Sequence, residues 1–271
     1  MYDDLACSLP ESMDRSAILE RLDRVLDPEL DESILKLGFV QSIQADEGLL
    51  TITLRLPTYW CAPNFSYLMV DDIRRELMAV ENVRQVKVRL QDHFASAEIE
   101  QGVNSGRSFT DAFPGEALEN LDQLRDLFLR KGYLKRQEGL LRNLRDAGLS
   151  FVEIAQLRIE NLHFEDGSCR VEYGTAGNHQ LGPEAFAQRY LERRRKLGLD
   201  VSLCAPLIVD LRGGPVSAPE LEQYFVYART VRVSLDVNGS LCCALLASRQ
   251  RETDTSADPE VKTKSEHAGH V

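Results

Sequence analysis

Residues 49–56 alternate between apolar and polar side chains, and this alternation constrains the fold more than any other local pattern in the chain. The two sets interleave at every second position, with Leu50, Ile52, Leu54 and Leu56 in one set and Thr51, Thr53 and Arg55 in the other. A period of two places successive side chains on opposite faces of an extended chain. The segment is therefore predicted to be a half-buried β-strand.

The segments around this strand predict a small two-layer domain. An amphipathic helix is predicted for residues 15–26, and it ends there because Pro28 and the residue before it interrupt a helix. A strand at 40–44 comes before the alternating segment, a helix at 65–80 follows it, and residues 83–90 alternate again. The order α-β-β-α-β within roughly 80 residues is typical of a compact α+β unit.

Cys61 lies at the turn between the alternating strand and the helix at 65–80. A thiol at such a turn faces the first unpaired N–H groups of the helix and the positive end of its dipole, which favour thiolate over thiol. We interpret Cys61 as a functional thiol, with a buried apolar filler as the alternative. Tyr59 and Trp60, which precede it, are interpreted as an exposed docking surface or a lid.

Residues 16–93 resemble the iron-sulfur cluster assembly domain of PaaD-like and SufT-like maturation proteins. The resemblance is carried by the turn Asp27-Pro28-Glu29, the segment 34–39, the strand pair, Thr58 three positions before Cys61, the following helix, and the strand after Glu81-Asn82-Val83. Two features depart from the family pattern: Ala62 stands in place of a proline, and Tyr59-Trp60 stand in place of small residues. The departures concern access to the thiol, so they bear on the ligand role more than on the fold.

The resemblance implies an accessory maturation factor rather than an enzyme, with Cys61, Thr58, Asp27 and Glu29 contacting a cluster or a client protein. Iron-sulfur clusters usually take four thiolate ligands, and this domain offers one obvious candidate, Cys61. The implied cluster is therefore transient or shared between subunits. Asp27 and Glu29 could orient the cysteine loop or serve as hard ligands, with a plain turn role as the alternative.

The resemblance also implies partners, namely a client metalloprotein and other cluster-assembly proteins, with a homo-oligomer as a further possibility. The long extension beyond the family-like segment suggests dedication to one client, for which an iron-dependent oxygenase is the expectation from the resemblance.

Length and charge limit the other classes of function. The chain has 271 residues, enough for two domains, and a formal net charge of −11. An acidic protein has no general electrostatic attraction to nucleic acid or to an anionic membrane. We find no leader-like amino terminus and no apolar run approaching ~18 residues, so no membrane span is expected. Six cysteines without Cys-x-x-Cys spacing indicate free thiols and a cytoplasmic location.

Composition divides the chain into five parts. We predict an amino-terminal tail at 1–15, the iron-sulfur assembly-like domain at 16–95, a linker at 96–110, a helix-rich interaction domain at 111–250, and a disordered tail at 251–271. The predicted fold class is α+β in both domains, the second being mixed and richer in helix.

The second domain has a resemblance of its own. Residues 146–162 and 207–217 resemble parts of the tyrosine recombinase catalytic domain. Ser150 stands where that pattern has its first catalytic arginine, the hairpin lysine is missing from 174–179, and we find no His-x-x-Arg with a later tyrosine nucleophile. Without its positive clamp, phosphoryl transfer loses its main transition-state stabilisation. We interpret residues 111–230 as a degenerate, non-catalytic relative, with chance similarity as the alternative.

Two other functions stay open beside the maturation factor. One is a nucleic-acid-binding regulator that would use the recombinase-like domain and its basic run at 193–196, against which the acidic charge argues. The other is a thiol-dependent enzyme that would use Cys61. Against it stand the lack of a resolving cysteine and the presence of only one histidine in the first domain, His93.

Overall fold

The structure is a computed structural model, and it describes residues 5–114, 121–174 and 177–256. The chain forms two compact units, each built from separate stretches of sequence. The first unit consists of Met1–Asp27, Glu32–Ala117 and Asn238–Val271, and the second of Pro28–Asp31 and Leu118–Val237.

A four-stranded sheet forms one layer of the first unit. Strands β4 (Val40–Asp46) and β5 (Leu49–Arg55) form an antiparallel hairpin, β6 (Gln85–Gln91) pairs in parallel with β5, and β1 (Ala6–Ser8) pairs in parallel with β4. A short antiparallel pair, β2 (Leu26–Asp27) and β3 (Glu32–Ser33), lies outside this sheet.

The helices of the first unit form the second layer. Helix α1 (Arg15–Asp23) and helix α2 (Pro63–Leu77) bury Ile18, Leu22, Leu68, Val70, Ile73 and Leu77. The predicted apolar positions of β5, namely Leu50, Ile52 and Leu54, are fully buried. The predicted α-β-β-α-β order is present, and the predicted mixed α and β class is confirmed.

Residues 96–110 were predicted to be a linker and are folded instead. Helix α3 (Ser96–Asn104) buries Ile99, Gly102 and Val103, and a short helix, α4 (Phe109–Ala112), follows. The linker prediction followed the glycine, serine and asparagine content, whereas Ile99 and Val103, one helical turn apart, are both buried on the same face. The predicted tail at 1–15 likewise contains β1.

Helix α3 satisfies the outer edge of β6. The side chain of Glu100 accepts from the N–H of Leu90 at 2.7 Å, and the side chain of Asn104 bonds both the N–H and the carbonyl of Val88, at 3.1 and 3.2 Å. An unpaired strand edge leaves polar groups that must find partners. Helix α3 supplies those partners, so it belongs to the domain rather than to a connection.

The second unit is rich in helix. It contains α5 (Leu121–Asp146), α6 (Phe151–Gln156), a 3₁₀ turn (Ile159–Asn161), the antiparallel strands β7 (Leu162–Glu165), β8 (Ser168–Tyr173) and β9 (Gly177–Pro183), helix α7 (Glu184–Lys196), and the beginning of α8 (Ala218–Ser256). Residues 121–146 form one continuous helix, α5. Around residues 206–215 the chain forms isolated bridges, Arg158 with Pro206 and Val209 with Pro215.

Two arginines of the basic run at 193–196, which the nucleic-acid alternative would use, are engaged inside the fold. Arg194 is 1 % exposed, and its Nη1 donates to the carbonyl oxygens of Pro206 and Leu207 at 2.8 and 3.0 Å. Arg193 pairs with the buried carboxylate of Asp31 at 2.5 Å. These arginines tie α7 to its own unit, because each meets acceptors that only the tertiary fold brings there.

Helix α8 is a long helix of 39 residues. It extends to Ser256, so residues 251–256 of the predicted tail are helical, and the rest of that tail lies outside the described residues. The part Ala218–Arg249 is long and apolar enough to cross a membrane, by length and composition only. This helix departs from the expectation that the chain has no membrane span, but a single such helix is weak evidence for one; 11 % of its apolar window is buried inside the structure, unlike a core helix. Cys243, on this helix, is exposed.

Candidate functional site

The loop between β5 and α2 carries Cys61. Helix α2 begins at Pro63, with Ala62 as its N-cap residue, so the thiol lies directly before the first turn of a helix. Thr58 Oγ1 is 3.1 Å from Cys61 Sγ, within hydrogen-bond distance for a sulfur atom. The structure therefore brings together two of the predicted site residues, and Cys61 is only partly buried.

The buried side chain of His93 is hydrogen-bonded to the backbone of this loop. Its Nδ1 accepts from the N–H of Ala95 at 3.2 Å, so the ring proton sits on Nε2. Nε2 lies 2.8 Å from the carbonyl oxygen of Cys61, to which it donates, and 3.2 Å from Ser66 Oγ. Burial is the main cause that lowers the pKa of His93, the hydrogen bond to Cys61 opposes it, and the positive Arg249 lowers it further. His93 is thus a neutral structural histidine.

Three exposed aromatic side chains lie in or beside the cysteine loop. Trp60 is 74 % exposed, Tyr59 is 52 % exposed and Phe94 is 49 % exposed. The N–H of Phe94 donates to the carbonyl of Tyr59 at 3.0 Å, and the two rings lie 6.3 Å apart, centroid to centroid. The ring of Phe94 also stacks on His93, with 5.0 Å between centroids. We call Tyr59, Trp60 and Phe94 the aromatic rim.

Asp27 and Glu29 lie at the short strand pair. Asp27 ends β2 and pairs with Glu32 of β3, while Glu29 falls in Pro28–Asp31, which belongs to the second unit. The hydrogen bond seen at the Cys61 sulfur is with Thr58. A contact of either carboxylate with a cluster or a client stays a prediction.

The metal-binding capacity of the site is small. Within the part of the chain that the structure describes, no group of three or more His, Cys, Asp or Glu side chains is placed to hold a metal ion. The six cysteines are free thiols. Cys61 could supply one soft ligand to an iron-sulfur cluster, and the remaining ligands would have to come from outside this site.

Sequence reasoning missed His93, Phe94 and Arg249 as neighbours of the Cys61 loop. The available signal for the first two was their position immediately after the alternating strand at 83–90. For Arg249 no sequence signal existed, because it lies 193 positions from its partner Leu56.

Comparison with known proteins agrees with this architecture. The family model described as iron-sulfur cluster assembly protein matches residues 15–89. The chain belongs to this family through that segment. One similar relative is the Fe-S protein maturation auxiliary factor YitW of Bacillus subtilis strain 168, which is 32 % identical over 74 residues, covering 27 % of this chain and 71 % of YitW. No solved structure matches the chain at a significant level.

Proposed function

We propose that this protein is an accessory factor that helps to assemble or deliver an iron-sulfur or other iron centre to a client protein. The observation that carries the proposal is the half-buried Cys61 thiol, held by Thr58 at the start of α2 and next to the aromatic rim, in a domain of the iron-sulfur cluster assembly family. The name of the relative YitW supports the same role.

The aromatic rim serves as the surface on which the client docks. Large aromatic side chains are enriched among the residues that dominate binding energy at protein interfaces, whereas isolated soluble domains rarely leave several of them exposed together. Tyr59 and Trp60 directly precede Cys61 in the loop, so a client bound on the rim would lie near the thiol. The family pattern has small residues at the positions of Tyr59 and Trp60. In this protein the two aromatic side chains give the loop a contact surface for a partner.

Cys61 acts as a transient ligand or client-facing thiol. One thiolate does not hold a cluster, because clusters usually take four. A cluster handled at this site is cargo whose other ligands come from the client, from another assembly protein, or from a second copy of the chain. The single ligand allows release as soon as the client offers more thiolates.

A genetic replacement tests the proposal. Cys61→Ser keeps the size and the contact with Thr58 but removes the soft ligand, so the activity of the dependent iron-sulfur enzymes in cells should fall to that of a deletion strain. Cys204→Ser, at an exposed cysteine of the second unit, is the matched control and should leave that activity unchanged. Full activity with Cys61→Ser contradicts the proposal.

The proposal also extends to the client protein and to the compartment. We propose a cytoplasmic location and an iron-dependent oxygenase as client, because the long second unit suggests dedication to one partner. Comparing the activities of oxygenases and other iron-sulfur enzymes in a deletion strain tests the choice of client.

The thiol-enzyme alternative is less well supported by the geometry. A general base must reach the proton that it removes, and Nε2 of His93 donates to the carbonyl of Cys61 instead. The nucleic-acid alternative loses two of its proposed phosphate contacts, since Arg193 and Arg194 are engaged within the second unit. Both alternatives stay predictions. Loss of a catalytic turnover when Cys61 is alkylated would support the thiol enzyme, and DNA binding that weakens with salt would support the nucleic-acid-binding regulator.

A further inference from the structure

The final part of α8, which belongs to the first unit, reaches the base of the Cys61 site. The guanidinium of Arg249 donates from Nη1 to the carbonyl oxygen of Leu56 at 2.8 Å and from Nη2 to that of Asp92 at 3.1 Å. Leu56 immediately precedes the loop that carries Cys61, and Asp92 immediately precedes His93 and Phe94. One side chain therefore joins the bases of both loops that build the site.

Asp92 links this arginine to the sheet. Its carboxylate lies 3.7 Å from Nη2 of Arg249 and 2.9 Å from Nη2 of the buried Arg55. The backbone of Asp92 has φ of 52°, a left-handed conformation that residues other than glycine adopt uncommonly. Such a conformation persists where surrounding contacts hold it, and Arg249 bonds the carbonyl of this very residue.

The same stretch of helix is anchored by apolar contact. Leu246, one turn before Arg249, is buried, and a Cβ atom built on Gly38 would lie 3.9 Å from its Cδ2. The segment that matches the family model ends at residue 89. The contacts of Leu246 and Arg249 thus come from a part of the chain outside that segment.

We propose that Arg249 is a positioning residue for the Cys61 thiol, so that the end of α8 is a working part of the cysteine site. It acts through the backbone: by tying Leu56 to Asp92 it fixes the spacing of the loop that carries Cys61 and the loop that carries His93. Arginine suits this task, because its rigid planar fork bonds two carbonyls at once. The inference rests on the proposed function only in taking Cys61 as the working thiol.

The rate of alkylation of Cys61 tests the inference without any cluster or client. The full-length reduced protein is treated with iodoacetamide, and modification of Cys61 is followed by mass spectrometry, with the exposed Cys204 of the second unit as internal reference. Arg249→Gln should raise the rate at Cys61 about fivefold or more relative to Cys204, because the lost hydrogen bonds ease local opening. Amide exchange of residues 57–62 and 92–95 should accelerate in parallel.

Two further variants make the result specific. Arg229→Gln removes the same charge from an exposed position of the same helix. It should change neither the rate of alkylation at Cys61 nor the rate of amide exchange in the two loops. Arg249→Lys keeps the charge but not the fork, so it should also accelerate alkylation, and it carries the test if Arg249→Gln unfolds the first unit. An unchanged or slower rate at Cys61 in both Arg249 variants, or an equal acceleration in Arg229→Gln, overturns the inference. Failure of Cys61→Ser to impair maturation would overturn the proposed function and leave this result standing.

Discussion

His93 donates through Nε2 to the carbonyl oxygen of Cys61 at 2.8 Å, across 32 positions of sequence. This hydrogen bond joins the end of β6 to the residue that precedes the helix cap of α2. The imidazole is thereby engaged with the backbone of the cysteine rather than with its sulfur. It holds the loop in place, and the protonation state of the ring becomes part of the stability of the site.

The first unit should lose stability in mild acid because of His93. The folded-state pKa of this histidine lies below its ordinary value of 6.5, so the unfolded chain takes up the proton first as the pH falls. The contribution of neutral His93 to the free energy of unfolding is complete above the pKa of the unfolded state. It is lost progressively as the pH falls through 6.5 towards the lower pKa of the folded state. Denaturant unfolding between pH 8 and pH 5 measures the loss.

His93→Gln provides the comparison for this pH dependence. Glutamine can still donate to the Cys61 carbonyl but does not titrate, so the variant should show a smaller decline in unfolding free energy over the same range. His163→Gln, at a partly exposed histidine of the second unit, is the control and should leave the acid sensitivity of the first unit unchanged. If His93→Gln and the unchanged protein fall in parallel, His93 does not control this transition.

Trp60→Ala should impair client binding without unfolding the protein. The side chain is 74 % exposed, and substitutions at such positions usually change stability by less than about 0.5 kcal/mol. An aromatic side chain at the centre of an interface often contributes about 2 kcal/mol or more to binding, about thirtyfold in affinity. The affinity for a client iron-sulfur protein, measured by calorimetry, checks this expectation.

The exposed Val152 of the second unit offers a matched control for Trp60. Val152→Ala also removes an exposed apolar side chain, but far from the rim in sequence, so client affinity should not change. Equal losses of affinity in the two variants would contradict a docking role that is particular to the aromatic rim.

Arg194→Met should destabilise the second unit by about 2 to 4 kcal/mol, because the carbonyl oxygen of Pro206 loses its side-chain donor and that of Leu207 keeps only the Tyr190 hydroxyl. Arg195→Gln, at the exposed neighbouring position, should lie within about 0.5 kcal/mol of the unchanged protein. Thermal unfolding of the purified variants measures both changes. Equal stability of the two variants would show that Arg194 is not a structural residue.

A fragment of residues 1–117 should be more stable to heat than a fragment of residues 1–95, although both lack the Asn238–Val271 part of the first unit. Only the longer one contains α3, whose side chains Glu100 and Asn104 satisfy the edge of β6. Circular dichroism during thermal unfolding compares them. If the two fragments are equally stable, α3 does not stabilise the first unit, and residues 96–110 behave as the linker that the sequence predicted.

The sequence by itself determined the elements of the first unit and the centre of its site. The alternation of Leu50, Ile52 and Leu54 is a local property, since it follows from the geometry of a single strand. The spacing of Thr58 and Cys61 is equally local, because three residues of one loop set the distance between the two side chains. These features, with the turn at Asp27, were sufficient to indicate the family.

Only the tertiary structure decided which side chains contact the Cys61 loop and which arginines of the run at 193–196 are engaged with buried acceptors. His93 and Arg249 reach the Cys61 loops across 32 and 193 positions, and no periodic pattern encodes a contact at such a distance. The arginines at 193 and 194 resemble a solvated run until the fold brings buried acceptors to them. Local periodicity fixes the direction in which a side chain points along its own element, whereas its partners depend on how distant elements pack.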